Sequence, residues 1–123
     1  MKFKSQICTT VEQSKRLLEL GLKKEIADCH WFYQNEHWQL KIGFDLISCE
    51  NLYPKYYIPA WSLHRLLCLI PKEVNIDGFK FPLRSDVIMR LEDVDFMYER
   101  LIGIIERVIK EGYFNKEYLD EQV

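Results

Sequence analysis

Thiols and imidazoles are the side chains of this sequence that are best suited to hold a metal ion. The candidate ligands are Cys8, Cys29, Cys49, Cys68, His30, His37 and His64. Structural zinc sites pair their ligands at C-x₂₋₄-C or H-x₃₋₅-H spacing, and no such pair occurs here. Cys29 and His37 could meet across a hairpin, but they would supply only half of a tetrahedral ligand set. We therefore predict that the protein holds no metal and no other cofactor.

One thiol and one imidazole have the spacing of a nucleophile and its base on a helix. Cys68 follows His64 by four residues, and residues four apart are neighbours on a helix surface. Ser62 is only two residues from His64, so these two side chains point to different faces. Activated nucleophiles also need a third group that orients the base, and no hydrolase signature is present. We interpret Cys68 as a half-buried thiol beside a solvated imidazole and assign no catalytic residue.

The sequence contains only weak indications of a site for phosphate or nucleic acid. The five glycines stand singly, whereas a phosphate-binding loop places several before a helix N-terminus. Trp31, Tyr33 and Trp38 could stack bases, but Lys41 is the only cation close to them in the sequence. Grooves that bind single-stranded nucleic acid are basic, and the formal net charge of this chain is −2. We expect these rings to lie in the core and do not expect a nucleic-acid partner.

An aromatic cluster is the strongest sign of a recognition surface in the sequence. Its members flank two prolines and are Tyr53, Tyr56, Tyr57 and Trp61. Tyrosine and tryptophan are enriched at protein interfaces, because the ring is apolar and its polar tip can form a hydrogen bond. The alternative is a loop that its rings attach to the core, and the sequence leaves both interpretations open.

The C-terminal helix, predicted over Val94–Glu111, has a wider apolar face than one contact requires. Its apolar residues cover an arc of about 160°, whereas a helix with one face on a core needs little more than about 100°. The excess lies at Ile102 and Ile109, which we expect to contribute to a homodimer or to an interface with a protein partner. The alternative is that Tyr113-Phe114 or the first helix covers this edge within the chain.

The first half of the chain is predicted as a helix followed by a hairpin. A capping box at Thr9-Thr10-Val11-Glu12, with Thr9 as the N-cap, and a glycine cap at Gly21 predict a helix over residues 10–20. Bulky aromatic side chains over residues 29–34 and strict alternation over residues 37–46 predict two antiparallel strands. A short polar link joins these strands.

The second half is predicted as a helix and a meander before the C-terminal helix. Residues 47–57 look irregular, and a helix is predicted from near Pro59 to Pro71. Asp77-Gly78 has the composition of a two-residue hairpin turn. The short apolar run over residues 87–91 alternates and predicts a third strand after that hairpin.

These elements indicate an α+β fold. We expect an antiparallel sheet of about five strands, a hairpin plus a three-stranded meander, with three helices mainly on one face. Residues 1–123 are expected to form a single domain, with residues 115–123 as a frayed tail.

Composition and targeting signals indicate a cytoplasmic protein. The chain has 123 residues, of which 48% are hydrophobic and 29% are charged, so it can bury a real core. The N-terminus lacks the apolar stretch of a signal peptide, and no segment has the length and apolarity of a transmembrane helix. We therefore expect the four cysteines to be reduced.

Two segments carry a resemblance to a group of known sequences. The first covers Cys8–Leu22, with the pattern T-x-E-Q-S-x-x-L-L-E-L-G-L followed by Ala27-Asp28; the second leads from Ile58-Pro59-Ala60-Trp61-Ser62-Leu63 to Leu69-Ile70-Pro71. Together with the C-terminal amphipathic helix, they make the chain resemble short uncharacterised phage, prophage and mobile-element proteins of Bacteroides-type bacteria over nearly its whole length. The resemblance implies a bacterial cytoplasmic setting and a mobile-element origin. It brings no activity, cofactor or site residue.

The function expected from these observations is that of a small non-enzymatic interaction or accessory protein. A small enzyme or ligand-binding domain, with a site not visible in the sequence, is the first alternative, and a nucleic-acid-binding module is the second. A contiguous exposed apolar patch would favour the interaction protein. A closed pocket with perturbed pKa values would favour the enzyme, and a basic stripe would favour nucleic acid.

Overall fold

The computed structural model describes residues 6–42, 55–91 and 96–120 of the chain. Within these ranges it confirms the α+β class. In chain order the helices and strands are α1 (Val11–Glu19), β1 (Cys29–Gln34), β2 (His37–Ile42), β3 (Tyr57–Ala60), α2 (Leu63–Leu69), β4 (Val74–Ile76), β5 (Phe79–Phe81), α3 (Leu83–Met89) and α4 (Met97–Lys110). Short 3₁₀ turns lie at Lys24–Ile26 and Lys116–Tyr118.

The described strands form two antiparallel sheets instead of the single sheet that the sequence predicts. The larger sheet has the order β2-β1-β3, and β4 pairs only with β5. The β1–β2 hairpin is confirmed, and it turns at Asn35 and Glu36 with φ values of 55° and 66°. Positive φ at both central residues is typical of the turns that match the twist of a hairpin.

Strand β3 occupies a segment that the sequence predicts as irregular chain and a helix start. It pairs with β1 from Tyr57 to Ala60, and Pro59 is tolerated because β3 lies at the edge of the β2-β1-β3 order. Helix α2 begins only at Leu63, after Ser62, whose Oγ accepts a hydrogen bond of 3.2 Å from the backbone N–H of Arg65. The side-chain cap, and not the proline, therefore sets the start of this helix.

The predicted third strand of the meander is wrong, because residues 87–89 belong to helix α3. The Asp77-Gly78 turn is confirmed, with φ values of 52° and 83°. After it, the chain buries Val87 and leaves Met89 82% exposed, whereas a strand would place both side chains on one face. A short apolar run cannot distinguish a strand from a helix by periodicity alone.

Helix α1 has its capping box one residue later than the sequence predicts. The backbone N–H of Gln13 donates to Thr10 Oγ1 (3.2 Å), and the backbone N–H of Thr10 donates to Gln13 Oε1 (3.0 Å). Thr10 is therefore the N-cap, and Thr9 lies fully buried before the helix. Gly21, with a φ of 99°, follows the helix as predicted.

The main core lies against helix α4. Its buried members are Leu17, Leu22, Ala27, Trp61, Leu66, Leu69, Ile70, Val87, Tyr98, Leu101, Ile102, Ile105, Val108 and Phe114. These residues come from α1, α2, α3 and α4, from the segments between these helices and, for Phe114, from the segment after α4. The predicted start of the C-terminal helix at Val94 lies outside the described residues.

Residues 116–120, predicted as the start of a frayed tail, are instead hydrogen-bonded to the turn after α1. The backbone N–H of Lys23 donates to the carbonyl of Tyr118 (2.9 Å), and that of Asp120 donates to the carbonyl of Gly21 (2.7 Å). Leu119 forms an antiparallel bridge with Leu22. This segment therefore covers the end of the first helix.

Candidate binding groove

A groove of about 580 Å³ lies between the β4–β5 hairpin, helix α3 and helix α4. Its floor is apolar and is formed by Val74, Ile76, Phe81, Leu83, Val87, Ile104 and Val108. The volume falls within the range of about 300–1,000 Å³ that is usual for ligand sites in proteins. Of the predicted interaction residues that the structure describes, Tyr56, Tyr57, Trp61, Ile102 and Ile109, none lines the groove.

The apolar floor continues outward along one face of the hairpin. Val74 pairs with Phe81, and Ile76 pairs with Phe79. Directly paired residues, and residues two apart on a strand, project from the same face. Exposure along this face rises from 7% at Val74 to 46% at Ile76 and 67% at Phe79. A continuous apolar stripe therefore runs from the core to the accessible tip of the hairpin.

Arg84 positions helix α3, which forms one wall of the groove. Its Nε donates to the carbonyl of Ile70 (2.8 Å), and its terminal nitrogen donates to the carbonyl of Cys68 (2.8 Å). Both carbonyls lie at the C-terminal end of α2, where the last carbonyls of a helix have no partner within that helix. The guanidinium thus joins the start of α3 to the end of α2.

Charged side chains surround the apolar floor. Arg90 Nε forms an ion pair with Asp86 (3.0 Å), and Arg107 Nε forms a longer one with Glu111 (3.6 Å). Arg100 donates to the backbone carbonyl of Arg90 (3.0 Å) and forms no ion pair with a carboxylate of the described residues. Among the described residues that line the groove, three guanidinium groups stand against two carboxylates, which leaves one positive charge in excess.

The side chains that line the groove are better suited to ligand binding than to catalysis. Among its described residues there is no cysteine, histidine, serine or lysine, the side chains that most often act as nucleophiles or bases. Both carboxylates are paired with arginines. The described lining can therefore desolvate apolar groups and attract anions.

Cys68 and His64 contact each other, as their helix spacing allows, and neither is among the described residues that line the groove. The imidazole is exposed as predicted, but the prediction of a half-buried thiol is wrong, because the Cys68 side chain is exposed. Cys68 Sγ lies 3.6 Å from His64 Nε2, and both side chains are exposed. Within the described part of the chain, the imidazole makes no second hydrogen bond that would orient it as a catalytic base. Helix spacing alone accounts for the contact.

The predicted aromatic surface is largely internal. Tyr57 and Trp61 are fully buried, so for these two residues the alternative of rings attached to the core is confirmed and their place on an interaction surface is wrong. Tyr56 is exposed, with Lys55 Nζ 5.2 Å from the centroid of its ring. Tyr53 lies outside the described residues.

The predicted interface on helix α4 is also covered within the chain. Ile102 is fully buried, and Ile109 is half-buried against the same core as Phe114. The expectation that Ile102 is available to a partner is therefore wrong, because the core of the folded chain already covers this side chain. An interface built on Ile102 would require the core to open, and we do not propose one.

The geometry proposed for a two-ligand metal contact is not formed. Cys29 pairs with Ile42 and His37 pairs with Gln34, so Cys29 and His37 lie at opposite ends of the first hairpin. In residues 6–42, 55–91 and 96–120, no three His, Cys, Asp or Glu side chains converge.

The hairpin aromatics are engaged by the protein itself. The indole N–H of Trp31 donates to the carbonyl of Thr9 (2.8 Å). Tyr33 and Trp38 contact each other edge to face, with ring centroids 5.2 Å apart. All three side chains are half-buried. They are therefore only partly available for stacking with bases.

Comparisons with protein-family models, with curated proteins and with solved structures found no match to this chain. In the described ranges, no helix combines the length and the apolar content needed to cross a bilayer.

Proposed function

We propose that this protein is a non-enzymatic interaction protein and that it binds another protein through the groove between the β4–β5 hairpin, α3 and α4. The observation that carries the proposal is the apolar stripe that leaves Ile76 and Phe79 exposed on one face of the hairpin. Accessible apolar surface that is continuous and rimmed by polar residues is typical of interaction sites. The two aromatic residues in this stripe, Phe79 and Phe81, are of the type enriched in protein interfaces.

Association with a partner is favourable because part of the apolar area of the stripe is not buried within the folded chain. Full burial of a side chain such as Ile or Phe stabilises by about 1.5–3 kcal/mol, and Ile76 and Phe79 still expose roughly half or more of their surface. A partner that covers both would gain about 1 kcal/mol or more from each. The folded monomer alone does not obtain this stabilisation, so the stripe favours association.

A small-ligand-binding protein is the second candidate, and the volume of the groove favours it. A cavity of about 580 Å³ could hold a drug-sized molecule. The protein partner is preferred because Phe79 lies beyond the groove lining, and a molecule that filled the groove would leave this ring in water. A mobile-element origin is retained as part of the proposal from the sequence resemblance alone.

Affinity capture with matched variants tests the proposal. The immobilised full-length protein would be incubated with lysate of a Bacteroides-type bacterium, and bound proteins, nucleic acids and small molecules would be identified by mass spectrometry. Ile76→Glu places a charge in the stripe, and Ile42→Glu is the control because Ile42 is exposed on the other sheet. We expect proteins that the wild type and Ile42→Glu retain and Ile76→Glu loses. Equal retention by all three, or retention of nucleic acid or small molecules alone, would contradict the proposal.

A further inference from the structure

We infer that the partner segment is an amphipathic helix with carboxylates beside its apolar face, and that Arg90, Arg100 and Arg107 bind those carboxylates. The inference rests on the proposed function, because it names the chemistry of the partner at the same groove. The apolar floor provides the attraction, and the guanidinium groups at the rim provide the selectivity for charge.

The length and the residue spacing of the groove wall formed by α4 match those of a partner helix. The residues of α4 and its C-cap that line the groove are Arg100, Ile104, Arg107, Val108 and Glu111. Their spacing of three or four residues places them along one side of three successive turns. At a rise of 1.5 Å per residue, this wall is about 16 Å long. A partner helix of three turns has the same length and would present anchors at the spacing that grooves of this kind recognise.

As far as the described residues show, the ion pairs of Arg90 and Arg107 leave N–H donors for a second carboxylate. The ion pairs of Arg90 and Arg107 both use Nε, so these pairs do not occupy the two terminal nitrogens of either guanidinium. The two side chains are 76% and 81% exposed. Arginine presents a planar fork of N–H donors that matches a carboxylate in a bidentate contact. Each arginine can therefore keep its intramolecular pair and still bind an acidic side chain of a partner.

Arg100 is the best placed of the three for such a contact. The structure gives its guanidinium a backbone carbonyl as acceptor and no ion pair with a described carboxylate. It lies four residues before Ile104, on the same side of α4. A partner helix whose apolar side chain rests on Ile104 would thus bring an adjacent carboxylate close to Arg100.

The position of Phe79 favours a helix over the two other ways of filling the groove. An alkyl carboxylate in the groove would leave this ring exposed, since Phe79 does not line it. An added β-strand would bind the backbone edge of β4 or β5, whereas the apolar side chains project from the face of the hairpin. A helix that rests on the rim would cover the face and Phe79 together.

Selection from a random library of displayed 16-residue peptides against the full-length protein tests the inference. We expect the enriched peptides to carry apolar residues at helical spacing together with Asp or Glu. A synthetic enriched peptide would then be titrated by fluorescence anisotropy. Loss of one charge-assisted contact lowers affinity by about tenfold or more, so we expect this from Arg100→Gln and from Arg107→Gln. Arg65→Gln is the control, because Arg65 is exposed on α2 and does not line the groove.

The outcomes separate the inference from the proposed function. Peptides that require Ile76 but lack acidic residues, or that bind the arginine variants as tightly as the wild type, would overturn the inference and leave the proposed function intact. An equal loss with Arg65→Gln would indicate non-specific attraction and would also overturn it. If no peptide is enriched, or if Ile76→Glu has no effect, the proposed function fails as well. In that case, saturable amide shifts at the groove in an NMR titration with decanoate would identify a small-molecule site instead.

Discussion

Thr9 and Trp61 are hydrogen-bonded to each other twice, although they lie 52 residues apart. The backbone N–H of Thr9 donates to the carbonyl of Trp61 (2.9 Å), and the backbone N–H of Trp61 donates to Thr9 Oγ1 (3.1 Å). Both residues are fully buried, and Thr9 Oγ1 also lies 2.7 Å from Ser14 Oγ. The segment before α1 is thereby joined to the segment between β3 and α2.

Thr9→Val should destabilise the protein. Valine keeps the shape of threonine but has no hydroxyl, so the N–H of Trp61 and the hydroxyl of Ser14 would lose a partner in a buried place. An unsatisfied buried polar group costs about 1–3 kcal/mol, and we expect the free energy of unfolding in urea to fall by this amount. Thr9→Ser retains the hydroxyl and should lose less. A Thr9→Val protein as stable as Thr9→Ser would show that these hydrogen bonds contribute little.

Thr10→Ala should also lower stability, because Thr10 is the N-cap of α1. Loss of a side-chain cap costs about 1 kcal/mol, measurable as a reduced midpoint of urea unfolding. Thr10→Asp should remain close to the wild type, since aspartate caps helices and its charge suits a helix N-terminus. If the alanine and aspartate variants were equally destabilised, the cap would not be the reason.

The choice between Thr9 and Thr10 illustrates what local sequence can and cannot predict. Both threonines are followed three residues later by a side chain that can complete a capping box, namely Glu12 or Gln13. Local pattern therefore leaves the register of the cap undecided. The hydrogen bond from the backbone N–H of Trp61 to the Thr9 hydroxyl decides it, and that bond joins residues 52 positions apart in the sequence.

The groove could not be predicted for a related reason. The Asp77-Gly78 turn and the α+β class follow from local residue types, and both are confirmed. Apolar periodicity shows which face of an element is hydrophobic, but not which part of that face its neighbours leave uncovered. Ile102 and Ile76 are equally apolar, yet the core covers the first and leaves the second exposed. The sequence signal that could have pointed to the groove is the position of Arg100 and Arg107 on either side of Ile104.

Ion pairing between α1 and α4 predicts a pH-dependent contribution to stability. Arg16 donates to Glu106 (3.0 Å) and to Glu99 (3.0 Å), and Lys110 also pairs with Glu106 (3.1 Å). The hydrogen bond from Arg16, followed by that from Lys110, lowers the pKa of Glu106 below its ordinary value of 4.5. A carboxyl with a lower pKa in the folded state stabilises it above the unfolded pKa, and this contribution is lost as the pH falls through the folded pKa.

Glu106→Gln should therefore be less stable than the wild type at pH 7, and the difference should disappear once the pH is well below 4.5, the ordinary value for this carboxyl. Thermal unfolding of both proteins across this pH range measures the effect. High salt should reduce the difference at neutral pH, because the pair is partly exposed. Glu117→Gln is the control, since Glu117 forms no ion pair with a described residue. A difference that stayed constant at all pH values would point to packing and not to charge.

The burial of Tyr98 predicts that stability is lost as the pH rises, which is opposite to the effect of Glu106. Burial raises its pKa to about 12, and its hydroxyl donates to the carbonyl of Ile7 (2.7 Å). Because the folded state holds this proton more tightly, the wild type should lose stability as the pH rises from about 10 toward 12. Tyr98→Phe should be less stable at neutral pH but should show a flatter decline. Tyr113→Phe, at an exposed position, should follow the wild type; a wild-type slope retained in Tyr98→Phe would contradict the assignment.

The cysteines should differ sharply in reactivity with Ellman's reagent. Cys68 is exposed, whereas Cys8 and Cys29 are buried together beside Ala60, and burial raises the pKa of the Cys8 thiol well above its ordinary value. The thiolate is the reactive form, and buried protonated thiols are inert. In a Cys49→Ser background, which removes the cysteine outside the described residues, we expect one fast equivalent from Cys68. Cys8 and Cys29 should react only as the protein unfolds.

Two controls check this assignment. Adding Cys68→Ser should abolish the fast phase. The denatured, unreduced wild type should give four thiols if all are reduced as predicted. A fast equivalent that survived Cys68→Ser would place Cys8 or Cys29 within reach of solvent, and a stable total of two would reveal a disulfide.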